Sequence, residues 1–223
     1  VEILVVLGLM ALLLFIALPA FEKLAKGSGV ELAARNLTSK LGMARGTSIT
    51  TREYVAVLMP TELAKNTTNN ISLPNDYLYR AYKLCVVVPG STSPFVFKRW
   101  IPSEKWELLP NGTAINDIAG SAHSGDSNWG NSLLEVVNDV NLLELGDNYG
   151  TDNPITYPGK LVDNVRAIVF KPTGKIAISP TLSRYVAVSE STYNGSNLIA
   201  TNPKNWIDIT IDQFTGRVTY GAE

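Results

Sequence analysis

The stretch that decides the fold is the N-terminal run, which reads VEILVVLGLMALLLFIALPAF over residues Val1–Phe21. It contains no charged residue from Ile3 to Phe21, and the carboxylate of Glu2 stands directly before it. As a helix rising ~1.5 Å per residue, the run would be about 28 Å long, close to the ~30 Å of a bilayer's hydrocarbon core. The run therefore predicts a helix that is either inserted in a membrane or packed inside an assembly.

The rest of the chain has the composition of one water-soluble domain. About 170 residues follow position 52, where the helix-like pattern ends, enough to bury roughly 70% of their unfolded surface in a single core. The 19 Lys and Arg residues nearly cancel the 20 Asp and Glu residues, so the overall charge disfavours nucleic acid as a partner. We predict a stalk over residues 1–52 and a globular β-rich head over residues 53–223.

Three interpretations of the run stay open on the residues alone. A secretory signal peptide has basic residues before a shorter apolar core, whereas here Glu2 precedes a longer one. A plain membrane anchor leaves the Glu2 carboxylate without a partner, at ~2.5–3.5 kcal/mol if it reaches the bilayer centre. In an assembly, that carboxylate can pair with an ammonium group of a neighbour.

Pro19 removes the helical hydrogen bond to the carbonyl of Phe15, at about 3 kcal/mol, so a kink is predicted there.

The same stretch resembles the N-terminal helix of type IV pilins and type II secretion pseudopilins. The resemblance implies a precursor held in the inner membrane, cleaved by a prepilin peptidase and moved by inner-membrane assembly machinery into an extracellular, cell-surface filament. It implies that Glu2 pairs with the N-terminal amine of a neighbouring subunit, and that Gly8, Pro19 and Phe21 belong to the assembly helix. It also implies a mature terminus a few residues further upstream, whose N-methylation stays open.

Other segments are similar to one branch of that superfamily, the H-type minor pseudopilins and FimT-type minor pilins (GspH/FimT-like). They are Glu31–Arg45, the strand Tyr54–Val57, and the candidate hairpins Arg166–Lys175 and Ile207–Val218. This resemblance covers about half of the chain and leaves residues 61–164 unaccounted for.

The predicted fold class is α+β, with a long hydrophobic helix packed on an antiparallel β-sheet head. Helix-like spacing continues through Leu24, Leu32, Leu37, Leu41, Ala44 and Ser48, and we expect Leu37, Leu41 and Ala44 to face the sheet. Gly27–Gly29 is a candidate break in that helix. The predicted strands are Tyr54–Leu58, Tyr77–Val88, Phe95–Trp100, Leu133–Val140, Val162–Phe170 and Tyr185–Ser189. The predicted surface loops are Lys65–Asn75, Asn111–Asn131 and Gly146–Gly159.

Residues that carry chemistry are few. Cys85 lies in an apolar run and is predicted to be a core residue, and His123 is predicted to be a solvated loop residue. Asp147, Asn148 and Asp152 form a weak calcium candidate whose spacing departs from an EF-hand, and no other metal or cofactor is predicted. Five asparagines begin Asn-x-Ser/Thr sequons and are candidate glycosylation sites: Asn36, Asn66, Asn70, Asn111 and Asn194.

Nothing in the sequence indicates an enzyme. It contains neither a nucleophile elbow nor a phosphate-binding glycine loop, and its one histidine has no nucleophile beside it in sequence. Our main prediction is a structural subunit that forms a homopolymeric helical filament through its N-terminal helix. The alternative is a minor subunit at the filament tip that primes assembly or binds DNA. DNA binding would fall to Arg217 alone in the last hairpin, and one arginine neutralises few phosphates.

Overall fold

The computed structural model describes residues 2–64, 73–90, 95–102, 104–116, 135–141, 161–177, 184–212 and 214–221. One long helix, α1, spans Glu2–Thr51 and is followed by strands. In chain order the strands are β1 (Tyr54–Met59), β2 (Ala81–Pro89), β3 (Phe95–Trp100), β4 (Glu107–Leu108), β5 (Thr113–Asn116), β6 (Glu135–Asn138), β7 (Val140–Asn141), β8 (Leu161–Val162), β9 (Val165–Phe170), β10 (Arg184–Tyr193), β11 (Leu198–Ile211) and β12 (Val218–Gly221).

Helix α1 is continuous through Pro19 and through Gly27–Gly29, so the candidate break at the glycines does not occur. It ends at Thr51, because Arg52 adopts a left-handed backbone conformation with φ 56°. A left-handed residue directly after the last turn is a common way to terminate a helix. The helix thus ends one residue before the predicted end of the stalk.

The second half of α1 is amphipathic. Its fully buried positions recur every three or four residues: Val30, Ala33, Ala34, Leu37, Leu41, Ala44 and Ser48. The prediction that Leu37, Leu41 and Ala44 face the head is confirmed. The same spacing was expected to include Leu32, but its side chain is 51% exposed, since it lies five positions before Leu37 and points to the opposite side of the helix.

Five strands of the head pair in a closed ring. Strand β1 pairs with β2 and with β9, β2 pairs with β3, β3 pairs with β6, and β6 pairs with β9. The head was predicted to be antiparallel. That prediction is wrong for one pair, because β3 and β6 are parallel. A ring leaves none of its five strands as a free edge, and among the described strands only the short β4 extends it, beside the start of β2.

The strands of the ring alternate between two cores. On β1, Val55 and Val57 face α1, whereas Ala56 and Leu58 face the inside of the ring. Cys85 belongs to the inner core, is fully buried as predicted, and has a thiol whose pKa is raised by burial.

A second sheet covers α1 from the other side, with strand order β12-β11-β10-β5. Its inner face supplies Val186, Val188, Ile207, Ile209 and Ile211 to the core around α1. Strand β5 lies inside the predicted loop Asn111–Asn131, so that prediction is wrong for Thr113–Asn116. These four residues are a strand because they pair with Ala187–Glu190 of β10.

One partly buried ion network joins α1 to Glu104, before β4, and to Glu107, the first residue of β4. The ammonium of Lys40 is 5% exposed, lies 2.7 Å from Oε1 of Glu107 and also contacts Glu104. Burial alone would lower the pKa of Lys40, but the hydrogen bonds to Glu104 and Glu107 outweigh it and raise that pKa. The pKa of the neighbouring Tyr82 phenol is also raised. Burial is the larger cause, and the negative charge of Glu107 is the second.

Candidate assembly surface and other sites

The first half of α1 presents apolar side chains to solvent. Of the side chains described between Ile3 and Phe15, none is covered by the head. The large ones have exposed fractions between 51% for Val6 and 79% for Phe15. They are Ile3, Val6, Leu7, Met10, Leu12, Leu13, Leu14 and Phe15.

These side chains surround the helix rather than forming one stripe, because Leu12, Leu13, Leu14 and Phe15 are consecutive and point in four directions. A helix that is apolar on every side is normally found buried on every side. In this chain, the surface from Ile3 to Phe15 is hence a surface that something else must cover. The sequence predicts a membrane-spanning segment here; within the described part of the chain, no helix is both long enough and apolar enough to cross a membrane.

A second, smaller apolar surface lies on the outward side of the amphipathic half of α1. Leu32, Met43 and Ile49 are 45–51% exposed there. Gly42 and Gly46 share that side, and a Cβ added at either would meet no atom within 4 Å. Small residues let another helix approach closely.

The four predicted assembly residues all belong to α1. Gly8 is exposed among the apolar side chains, and a Cβ there would meet nothing within 4 Å. Glu2, Pro19 and Phe21 are helical in their backbones, while their side chains lie outside what the structure describes. The pairing of Glu2 with a neighbour's amine accordingly stays a prediction.

The sequons fall in different surroundings. Asn36 is exposed on α1, and Asn66 and Asn70 lie outside the described residues. Asn111 is exposed, but its Oδ1 accepts a hydrogen bond of 2.6 Å from Arg80, and Thr113 of the same sequon is only 2% exposed. Asn194 caps the exposed β10–β11 turn. Its Oδ1 accepts bonds of 2.9 and 2.8 Å from the amides of Ser196 and Asn197. Glycosylation stays a prediction at all five positions.

The calcium candidate, Asp147, Asn148 and Asp152, lies outside the described residues, as does His123. Within the described ranges, no three His, Cys, Asp or Glu residues come together as metal ligands would.

Arg217 is exposed beside the turn between β11 and β12. Asp212 organises this turn, because its Oδ1 accepts hydrogen bonds from the hydroxyl and amide of Thr215, both at 2.7 Å, and from the amide of Phe214. These bonds, the Thr215 hydroxyl first, lower the pKa of Asp212. Arg217 thus stands five residues from an ionised acid, an arrangement that does not strengthen the prediction of DNA contact.

One candidate site was missed at the sequence level. Glu190 is a carboxylate on β10 that is only 7% exposed and lines a pocket. In the sequence, an acidic residue between Ser189 and Ser191 does not indicate that its side chain is buried. The available signal was Pro203, which stands within the paired strand β11 and indicates a bulge there.

Comparison with known proteins gives loose structural neighbours. No protein-family model matches the chain, and no curated protein matches it. Two crystal structures of the type IV minor pilin FimU of Pseudomonas aeruginosa superpose with a TM-score of 0.41, at 11% and 12% identity. Each covers 86% of this chain, and 87% and 91% of the FimU chains are covered in return.

The minor pseudopilin EpsH from the type 2 secretion system of Vibrio cholerae superposes with a TM-score of 0.39 at 9% identity, over 87% of this chain and 97% of that chain. Pilins and pseudopilins are the class that the N-terminal sequence resembles. Superpositions this loose establish neither a family nor a function, so a function must be argued from the chain's own residues.

Proposed function

We propose that this chain is a structural subunit of an extracellular type IV pilus-like or pseudopilus filament, and that it polymerises through the first half of α1. The observation that carries the proposal is the helix from Ile3 to Phe15, whose described side chains are apolar on every side and are not covered by the head. Further copies of the same chain suit this surface, because each brings an identical apolar helix.

The size of the apolar surface favours many copies over two. Eight large side chains, each roughly 50–80% exposed, correspond to about 8–15 kcal/mol if all are covered, taking ~1.5–3 kcal/mol for complete burial of each. One neighbouring helix covers only one side and so gains a fraction of this, against an association cost of ~4–15 kcal/mol. A bundle in which each helix touches several others gains most of it. A helical filament with the stalk helices in a shared core meets this requirement.

Glu2 gives the bundle a register in this proposal. A carboxylate that is buried in an apolar core requires a cationic partner. In this proposal, the partner is the N-terminal ammonium of an adjacent copy. The prepilin peptidase, the inner-membrane machinery and the cell-surface location stay predictions from the sequence resemblance. So does the alternative role as a minor subunit at the filament tip, which would prime assembly without forming a polymer of its own.

The test compares surface fibres on cells that make the wild-type chain, Glu2→Ala or Glu31→Ala. Glu31 is the matched control, since it is exposed on the same helix and pairs with Arg35 one turn later. We expect few fibres from Glu2→Ala and normal fibres from Glu31→Ala, with the head folded in both. Normal fibre yield from Glu2→Ala would contradict the role of Glu2. A detergent-free chain that stays a stable single particle would contradict polymerisation through α1.

A further inference from the structure

A pocket of about 340 Å³ lies where α1 enters the head, between the helix and the edge formed by β5 and β10. Its volume is in the range of small-ligand sites. It is lined by Gly29, Asn111, Gly112, Thr113, Glu190, Thr192 and Thr201. Most of the exposed lining surface is apolar, and among the described lining residues the one carboxylate is that of Glu190.

Glu190 is more than nine-tenths buried, yet no described cation lies within ion-pair distance of it. Its Oε2 accepts one hydrogen bond, of 2.9 Å, from the side-chain amide of Asn205. In the described part of the chain, its Oε1 accepts none. A buried carboxylate normally has a countercharge, because removing it from water without one is costly.

The strands are shaped to hold Glu190 in this place. On β11, Trp206 pairs with Ser189, but Asn202 pairs with Glu190, so residues 203–205 are extra to the ladder. Pro203 is compatible with this bulge because it has no amide hydrogen to donate. The bulge brings Asn205 to the Glu190 carboxylate, and bulges often re-aim a side chain beside a binding site.

The chemistry of the lining favours a cation with N–H donors. The hydroxyl of Thr113 already donates to the carbonyl of Pro110 at 2.7 Å, so towards the pocket it can only accept. The side-chain oxygen of Asn111 already accepts a hydrogen bond from Arg80 and has one further lone pair with which to accept. An ammonium group supplies three donors and the missing positive charge. A calcium ion prefers six to eight oxygen ligands, usually several carboxylates, and Glu190 is the only carboxylate among the lining residues that the structure describes.

We propose that this pocket binds a primary ammonium group through Glu190, supplied by a small free amine or by a lysine side chain of a second copy of this chain. The site does not depend on the proposed function, because every described residue that builds it belongs to one copy of the chain.

The first experiment measures thermal unfolding of the full chain in detergent, with methylammonium, 1,5-diaminopentane or tetramethylammonium chloride at equal ionic strength. The first two carry N–H donors and the third does not. We expect the first two to raise the unfolding temperature by ~3–6 °C at about ten times their Kd, and tetramethylammonium not to raise it. An equal rise with all three salts would overturn the proposal.

Variants then locate the effect. Glu190→Gln should abolish the rise, and Glu31→Gln, on the exposed face of α1, should keep it. If Glu190→Gln does not fold, Gly29→Leu replaces it: a Cβ there meets Thr113 Cγ2 at an ordinary 3.6 Å, and the added side chain fills the pocket. Gly29→Leu should weaken the amine effect at least tenfold. An unchanged amine effect in a folded variant would overturn the proposal.

Carbodiimide coupling distinguishes the two sources, because it joins a carboxylate to an amine in direct contact. Mass spectrometry of mixed light and ¹⁵N-labelled copies should show Glu190 joined to a lysine of the other copy, which assigns the source to lysine. If Glu190 couples to added 1,5-diaminopentane but not to a lysine of the other copy, the source is a free amine. Coupling of Glu190 to neither overturns the proposal.

Discussion

Replacing Phe15 with alanine should weaken filament assembly without weakening the head. The Phe15 side chain is 79% exposed in the single chain, so it contributes little to the fold of one copy. Covering it in an assembly would contribute about 1–2 kcal/mol, taking ~1.5–3 kcal/mol for complete burial of such a side chain. Since 1.4 kcal/mol corresponds to about tenfold in an equilibrium constant, the critical concentration should rise about 5- to 30-fold.

The chain offers a matched control in Phe214, which is 60% exposed in the turn between β11 and β12. Phe214→Ala removes the same side chain from a surface outside the stalk. Both variants and the wild type are diluted out of detergent and centrifuged, and the protein left in the supernatant gives the critical concentration. We expect a rise for Phe15→Ala alone, with equal free energies of unfolding. Equal critical concentrations for both variants would refute assembly through this part of α1.

Three further predictions concern the head. Leu41→Ala should cost ~2–5 kcal/mol in the free energy of unfolding by denaturant, because Leu41 is fully buried, whereas half-exposed Leu32→Ala should cost under about 1 kcal/mol. Gly216→Ala should unfold at a lower temperature than Gly112→Ala. Both glycines have positive φ, but only at Gly216 does a Cβ collide with a backbone carbonyl of the neighbouring turn. Lys40 has a raised pKa, so its stabilisation is complete below pH 10.5 and is lost as the pH rises through the folded-state pKa. Lys40→Met should therefore lose less stability than wild type in an alkaline titration followed by circular dichroism.

Local patterns predicted the helix and most of the strands. The three- and four-residue spacing of apolar side chains identified the buried face of α1. The mainly apolar segments Tyr54–Leu58 and Val162–Phe170 were predicted as strands, and they contain most of β1 and all of β9. Strand β5 could not be found in this way, because four residues in a polar stretch become a strand only by pairing with β10. The parallel contact of β3 with β6 likewise joins segments far apart in sequence.

The two candidate sites also differ in whether the sequence could predict them. The assembly surface could be predicted from Ile3–Phe21, since a continuous apolar run has the same meaning whatever it packs against. The pocket around Glu190 could not, because it depends on a bulge in β11 and on α1 passing the sheet at Gly29. Those relations exist only after the chain has folded.

If the chain assembles as proposed, the change of pattern along α1 separates the residues that fold the head from those that join subunits. From Val30 to Ser48 one side of the helix is buried between the ring and the second sheet, so the head has a complete core within one copy. From Ile3 to Phe15 all described side chains are exposed and add nothing to that core. A subunit built in this way can fold before it assembles, and joining a filament requires covering the first half of α1 but no rearrangement of the head. Substitutions in the two halves should consequently affect different measurements, unfolding for the second half and critical concentration for the first.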